Sequence, residues 1–175
     1  MKRFQLLLLD ADVVIHIFSL GIWEKLIERC DVYLAGTVLS EAHFYEDEHG
    51  TRHDFSLRSY ADADRITVFD MLPSELTSFR QRFDPVYLEK LDEGETESLA
   101  YLLTAEEDSR ICSADKIVFR ILGALKMSDR GVSLEEVLDQ TGLSRQLSQH
   151  LTKTYREKWT QRGFQEGMWG IGLDR

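Results

Sequence analysis

"LLLLDADVVIHIF", residues 6–18, decides how the rest of the chain is read. Leucines run without interruption, Asp10 and Asp12 follow two apart, and the apolar pattern then resumes. A short continuous apolar run marks a strand covered on both faces, as in a parallel sheet. A carboxylate buried without a partner is costly, and it takes up a proton or finds a cation. The strand therefore reads as Phe4 to Leu9, with Asp10 emerging into a crevice at its carboxyl end. Asp12 reads as the cap of a helix that begins at Val13.

Outward from this stretch, strands and helices alternate. "DVYLAG" (31–36), "RITVFDM" (65–71) and "RICSAD" (110–115) read as further strands. Helices are expected over "TVLSEAHFY" (37–45, with Thr37 as cap), "SLRSYADAD" (56–64), "PSELTSFRQRF" (73–83), "GETESLAYLLTAEED" (94–108) and "KIVFRILGAL" (116–125). A helix also starts at "DPVYLEKL", with Asp84 at the cap and Pro85 in the first turn. "EDEHGTRHDF" reads as a polar hairpin around Gly50. Alternation of this kind predicts an α/β fold with a mostly parallel central sheet. From Gly131 the character changes. Ser133 and Glu136 form a capping box, and the stretch from Leu143 to Phe164 is basic and helical. Residues 1–130 thus read as one domain and 131–175 as a helical extension packed on it, ending in a Gly-rich tail.

The net charge of −10 argues against a plain nucleic-acid-binding module, which needs cations for phosphates. It argues less against a site that gathers carboxylates around metal. Cys30 and Cys112 make neither a zinc pattern nor a disulfide framework, and read as buried thiols in a reducing cytoplasm. The N-terminal apolar run is too short for a signal peptide, and no stretch approaches the roughly 20 apolar residues of a membrane span. His43, His49 and His53 read as loop histidines, and Trp23, Trp159 and Trp169 as core or interface.

Four acids stand at telling places. Asp10 ends a strand, Glu41 lies in the helix after the second strand, Glu97 opens a helix with Glu95 beside it, and Asp115 follows "RICS". Ligands of open α/β sheets bind beyond the carboxyl ends of the strands. Carboxylates gathered there repel one another, and a hard cation such as Mg²⁺ or Mn²⁺ resolves the repulsion. Such a cation activates water for phosphodiester hydrolysis. Each acid also has a plainer role: Asp115 as a helix cap, Glu95 as a complement to a helix dipole, Glu41 as a solvated helix residue.

In order and context these stretches resemble the PIN-domain family of metal-dependent ribonucleases, which includes VapC-type toxins. The resemblance runs through "LLLDADVVI", "TVLSEAHFY", "GETESLA" and "ICSAD", over about residues 4 to 127. It implies a PIN-like three-layer α/β/α fold and RNA as substrate. It implies that Asp10, Glu41, Glu97 and Asp115 are the catalytic, metal-binding quartet for Mg²⁺ or Mn²⁺. Ser113, Glu95 and Asp12 are accessory on this reading, and Glu95 and Glu97 both stay open as the main ligand. A neighbouring antitoxin that plugs the crevice, and a homodimer, are implied partners. Arg120 is expected either at phosphate or in an ion pair. The basic "RQLSQHLTKTYREK" (145–158) is either a surface for the RNA backbone or a solvated helix face.

Two other resemblances compete. "LLLLDADVVI" is similar to the first motif of haloacid-dehalogenase phosphatases, which would make Asp10 a nucleophile and Asp12 its acid/base, although "ICSADK" supplies only one later acid. "VLDQTGLSRQLSQHL" resembles a DNA-binding helix-turn-helix, with Gly142 at the turn but Ser148 where an apolar residue is expected. A PIN scaffold without activity is a third possibility.

Overall fold

The computed structural model describes residues 3–172. β1 (Phe4–Leu9) leads into α1 (Ala11–Ser19), α2 (Trp23–Arg29), β2 (Cys30–Ala35) and α3 (Gly36–Glu41). A hairpin of β3 (Phe44–Glu46) and β4 (Arg52–Asp54) precedes α4 (Leu57–Asp62), β5 (Thr67–Phe69), α5 (Pro73–Arg80) and α6 (Pro85–Leu88). Next come α7 (Glu93–Thr104), β6 (Arg110–Cys112), α8 (Lys116–Ala124), β7 (Gly131–Val132), α9 (Leu134–Thr141) and α10 (Lys153–Met168).

The central sheet has five parallel strands in the order β5-β2-β1-β6-β7. The chain is therefore α/β, with an arrangement compatible with three layers. Leu7, Leu8 and Leu9 are each 0% exposed. Successive strand residues point to opposite faces, so the sheet is covered on both sides at β1. That is the physical content of the unbroken leucine run. Among the described residues, no helix is long and apolar enough to cross a membrane.

Local differences from expectation have local causes. Asp10, not Asp12, caps α1: its Oδ1 accepts the Val13 N–H at 2.9 Å, and Asp12 lies exposed in the first turn. α3 is shorter than expected, and Thr37 does not cap it, because its hydroxyl is engaged elsewhere. The chain leaves α3 for the hairpin. There Gly50 takes a φ of 73°, and the Asp47 carboxylate accepts the N–H groups of His49 and Thr51.

The C-terminal part is tied closely to the rest. β7, which the sequence reading gives to the extension, is the outer strand of the sheet and pairs with β6 through Ile111↔Gly131 and Cys112↔Val132. A boundary after residue 130 therefore falls inside a hydrogen-bonded layer. The Ser133–Glu136 capping box starts α9, and Gly142 ends it at a φ of 68°. Residues 143–148 form no helix, and 149–151 make a single 3₁₀ turn. The second helix of a helix-turn-helix is thus missing.

α10 packs on α8 at glycines. A Cβ on Gly163 would lie 1.9 Å from the Arg120 carbonyl oxygen, and one on Gly123 would lie 2.0 Å from that of Thr160. Beside this crossing, Glu166 is buried among Arg120, Arg162 and the Tyr87 hydroxyl. The expected Gly-rich tail is docked as far as Gly172, whose carbonyl accepts the Asp84 N–H at 3.0 Å. Residues 173–175 lie outside the described residues.

Candidate active site

Strand order reverses at β1. The chain runs from β1 to its neighbour β2 on one side, and β6 returns on the other. Crevices at such switch points, beyond the carboxyl ends of the strands, are the usual ligand sites of parallel sheets. Leu9 is in register with Cys112, so Asp10 and Ser113 leave the sheet side by side.

Asp10 is held rigidly. Its Oδ1 accepts the Val13 N–H at 2.9 Å and its Oδ2 the Ala114 N–H at 3.2 Å. Burial pushes its carboxyl up to about 6, against the pull of the Ser113 hydroxyl and those two N–H groups. Ser113 is fully buried and also accepts the Asp115 N–H at 3.0 Å. It thereby links the strand ends that carry Asp10 and Asp115. Asp115 caps α8 by accepting the Ile117 N–H at 2.9 Å, and the rest of its carboxylate faces solvent.

α7 brings up the third acid. It starts one residue earlier than the "GETESLA" motif suggests, capped by Asp92, whose Oδ1 accepts the Glu95 N–H at 2.7 Å. In turn the Glu95 Oε2 accepts the Asp92 N–H at 3.2 Å. Glu95 is buried, and burial together with the charges of Asp92, Asp115 and Asp10 pushes its carboxyl up to about 9.

Glu97 points elsewhere. Its Oε2 accepts the Thr37 hydroxyl at 2.6 Å and the Thr37 N–H at 3.4 Å, and its Oε1 accepts the Met71 N–H at 3.1 Å. It ties α7 to the start of α3 and to the loop after β5. Of the two glutamates, Glu95 is the one coupled to Asp10 and Asp115.

Glu41 is exposed at the end of α3 and reaches over Gly94, where a Cβ would lie 3.8 Å from its Oε2. Partial burial and the charges of Asp92, Glu93 and Asp12 push its carboxyl above the usual range. Asp12 and Asp115 share an adjacent open cleft of about 350 Å³ with His16, Lys116, His150 and Tyr155. The acids thus form a loose arc: the charges of Asp10 and Asp115 act on Glu95, and that of Asp12 acts on both Asp10 and Glu41. Asp92 bridges them, since its charge acts on both Glu95 and Glu41.

Sequence reasoning missed Asp92, although Asp-x-x-Glu is itself a capping-box signal. It also did not bring His16 to this end of the molecule. Arg120 is engaged by Glu166, with its Nη2 at 3.0 Å, and stays away from the crevice. His53 stacks on Tyr45 and contacts Asp47 in the exposed hairpin. Trp23 is core, Trp159 half-buried and Trp169 64% exposed.

Among the described residues, no three His, Cys, Asp or Glu side chains already stand together as a ready-made metal cluster. The donor set nevertheless has the chemistry of a hard-cation site. It offers carboxylate oxygens only, including those of two buried groups, Asp10 and Glu95, whose ionisation is opposed by burial and by neighbouring carboxylates. Comparison with family models, curated proteins and solved structures finds no match for this chain.

Proposed function

We propose that the chain is a metal-dependent nuclease of the PIN type that hydrolyses RNA phosphodiester bonds. One observation carries the reading: Asp10 and Asp115 follow adjacent parallel strands at the switch point of the sheet, and their charges act on the buried Glu95 of α7. Among the described residues no ion pair engages Asp10, Glu95 or Asp115, and a divalent ion would balance them. Asp10, Glu95 and Asp115 would hold Mg²⁺ or Mn²⁺, with Glu41 and Asp12 completing the arc. A bound ion of this kind supplies a water of lowered pKa and neutralises charge on the phosphate.

The chain's own residues do the positioning. Asp10 is fixed by two backbone N–H donors, Ser113 joins it to Asp115, and Glu97 sets the height of α7 through Thr37 and Met71. Glu41 and Asp12, both solvent-facing, would accept a proton from water entering the arc. A phosphoaspartyl mechanism at Asp10 fits less well. Both of its oxygens are committed to N–H donors, which suits a fixed ligand better than an attacking group.

The test is cleavage of a single-stranded RNA by the purified chain with Mn²⁺, with EDTA, and in the Asp10→Asn, Glu95→Gln and Asp115→Asn variants. Mn²⁺-dependent cleavage that falls by at least about a hundredfold in each variant is expected. Cleavage that survives EDTA, or is indifferent to these substitutions, sinks the reading.

A further inference from the structure

We propose that the cleft between α1, the start of α8 and the start of α10 is a phosphate subsite, which holds the RNA phosphodiester next to the one being cut. This inference rests on the nuclease reading. The cleft, about 350 Å³, is lined by Asp12 and Asp115 on the side of the acidic arc. The same cleft is lined by His16, Lys116, His150 and Tyr155. Its volume is at the lower end of the range of small-ligand pockets, large enough for one nucleotide unit.

The donors of this cleft are free to bind. None of the ion pairs among the described residues involves Lys116, His16 or His150. Lys116 Nζ instead rests 5.4 Å from the centre of the Trp159 ring, a contact that holds a cation in place without neutralising it. Burial and the charge of nearby His150 disfavour protonation of His16. An imidazole carries at least one N–H donor in either protonation state. Tyr155 faces the first turn of α8, with the Lys116 N–H directed at its hydroxyl oxygen, and its ring offers a surface on which a base can stack.

On a chain with a net charge of −10, an unpaired lysine and two histidines converging beside an acidic arc is a specific arrangement. An RNA backbone explains both sets of groups: one phosphate lies on the donors, and the next would face the acids that would hold the cation. His150 and Tyr155 come from the basic stretch 145–158, so the C-terminal part completes the site.

The experiment measures binding of a fluorescein-labelled RNA decamer in an Asp10→Asn background, where hydrolysis is blocked, with and without Lys116→Ala plus His150→Ala. Both positions are exposed, and thermal melts of each variant check folding. Lys116→Arg serves as the conservative control. The double substitution is expected to weaken RNA binding about tenfold and to lower the salt dependence by about one phosphate contact. Lys116→Arg restores most of the loss. Mn²⁺ affinity, read in the otherwise wild-type chain from the paramagnetic signal of free ion, stays unchanged. RNA binding that is indifferent to the double substitution overturns the subsite, while wild-type cleavage leaves the nuclease reading intact. Absence of wild-type cleavage overturns the nuclease reading, and the subsite is then decided by the binding data alone. No measurable RNA binding overturns the subsite as well.

Discussion

Thr37 donates its hydroxyl hydrogen to Glu97 Oε2 at 2.6 Å, and the other oxygen of that carboxylate accepts the Met71 N–H at 3.1 Å. A glutamate held in this way is a strut between three elements. Glu95, two residues earlier, has no such anchor beyond the cap of its own helix and faces the charges of Asp10 and Asp115. The two acids of "GETE" therefore separate by experiment. Glu95→Gln is expected to lower Mn²⁺ affinity at least about tenfold with little loss of stability, because a buried acid under repulsion becomes neutral. Glu97→Ala is expected to keep Mn²⁺ binding but to cost about 2–3 kcal/mol, since it leaves the Thr37 and Met71 donors unsatisfied. Urea denaturation and metal titration of both variants decide it, and the reverse pattern would make Glu97 the ligand.

This division was within reach of the sequence. Residues two apart on an α-helix are separated by roughly 200° around its axis, so Glu95 and Glu97 cannot both face one crevice. Which one does depends on where α7 is seated, and that is set by Thr37 and Met71 from distant parts of the chain. The Leu6–Leu9 run, the Asp84–Pro85 start and the Ser133–Glu136 box were legible because each signal is local. The junction at Asp12 was misjudged because Asp10 and Asp12 are both good caps, and only the end of β1 selects Asp10. The helix-turn-helix pattern fails for a tertiary reason too. The Arg29 guanidinium binds the Thr141 carbonyl, and the Ser144 hydroxyl binds Asp139 at 2.6 Å, fixing the chain as a loop after α9.

The crevice makes the metal-free protein sensitive to pH. The folded-state values of Asp10, about 6, and Glu95, about 9, lie above those of free carboxylates. Between the free and folded values the native state binds more protons than the unfolded chain, so stability falls as pH rises. The contribution of Asp10 is complete below about pH 4 and lost by about pH 6, and amounts to about 3 kcal/mol. That of Glu95 is lost up to about pH 9. Thermal melts in EDTA across pH 4–9, compared with those of Asp10→Asn with Glu95→Gln, isolate these groups from the other titrating acids. The wild type is expected to lose more stability than the double variant over this range, and Mn²⁺ to offset the difference above pH 6.

The seam between α8 and α10 is expected to be intolerant of even one methyl group. Gly163→Ala places a Cβ 1.9 Å from the Arg120 carbonyl oxygen, a backbone atom that cannot move without shifting α8. Overpacking of this kind costs about 1–3 kcal/mol. The exposed Gln161→Ala on the same helix is the control and is expected to change stability by no more than about 0.5 kcal/mol. Urea denaturation compares the two. Equal midpoints would mean that α10 sits further from α8 than the glycines require.

Glu166 clamps the same seam from its far end. It is 4% exposed and accepts from Arg120 Nε at 3.1 Å, Arg162 Nε at 2.9 Å and the Tyr87 hydroxyl. Burial alone would raise its carboxyl, yet the bonds from Tyr87, Arg162 and Arg120 hold it below the usual range. A depressed acid stabilises the fold above its unfolded value, and that stabilisation disappears as pH falls through the folded one. Glu166→Ala leaves the half-buried Arg120 without its counter-charge and is expected to cost about 3 kcal/mol at neutral pH. Replacing both partners, as Arg120→Met with Glu166→Leu, is expected to cost less than Glu166→Ala alone, because no charge is then stranded. Denaturation midpoints for the single and double variants at neutral pH and near pH 3 check both the sign and the order. A double variant less stable than the single one would show that the ion pair itself, and not the avoidance of a stranded arginine, holds α10 in place.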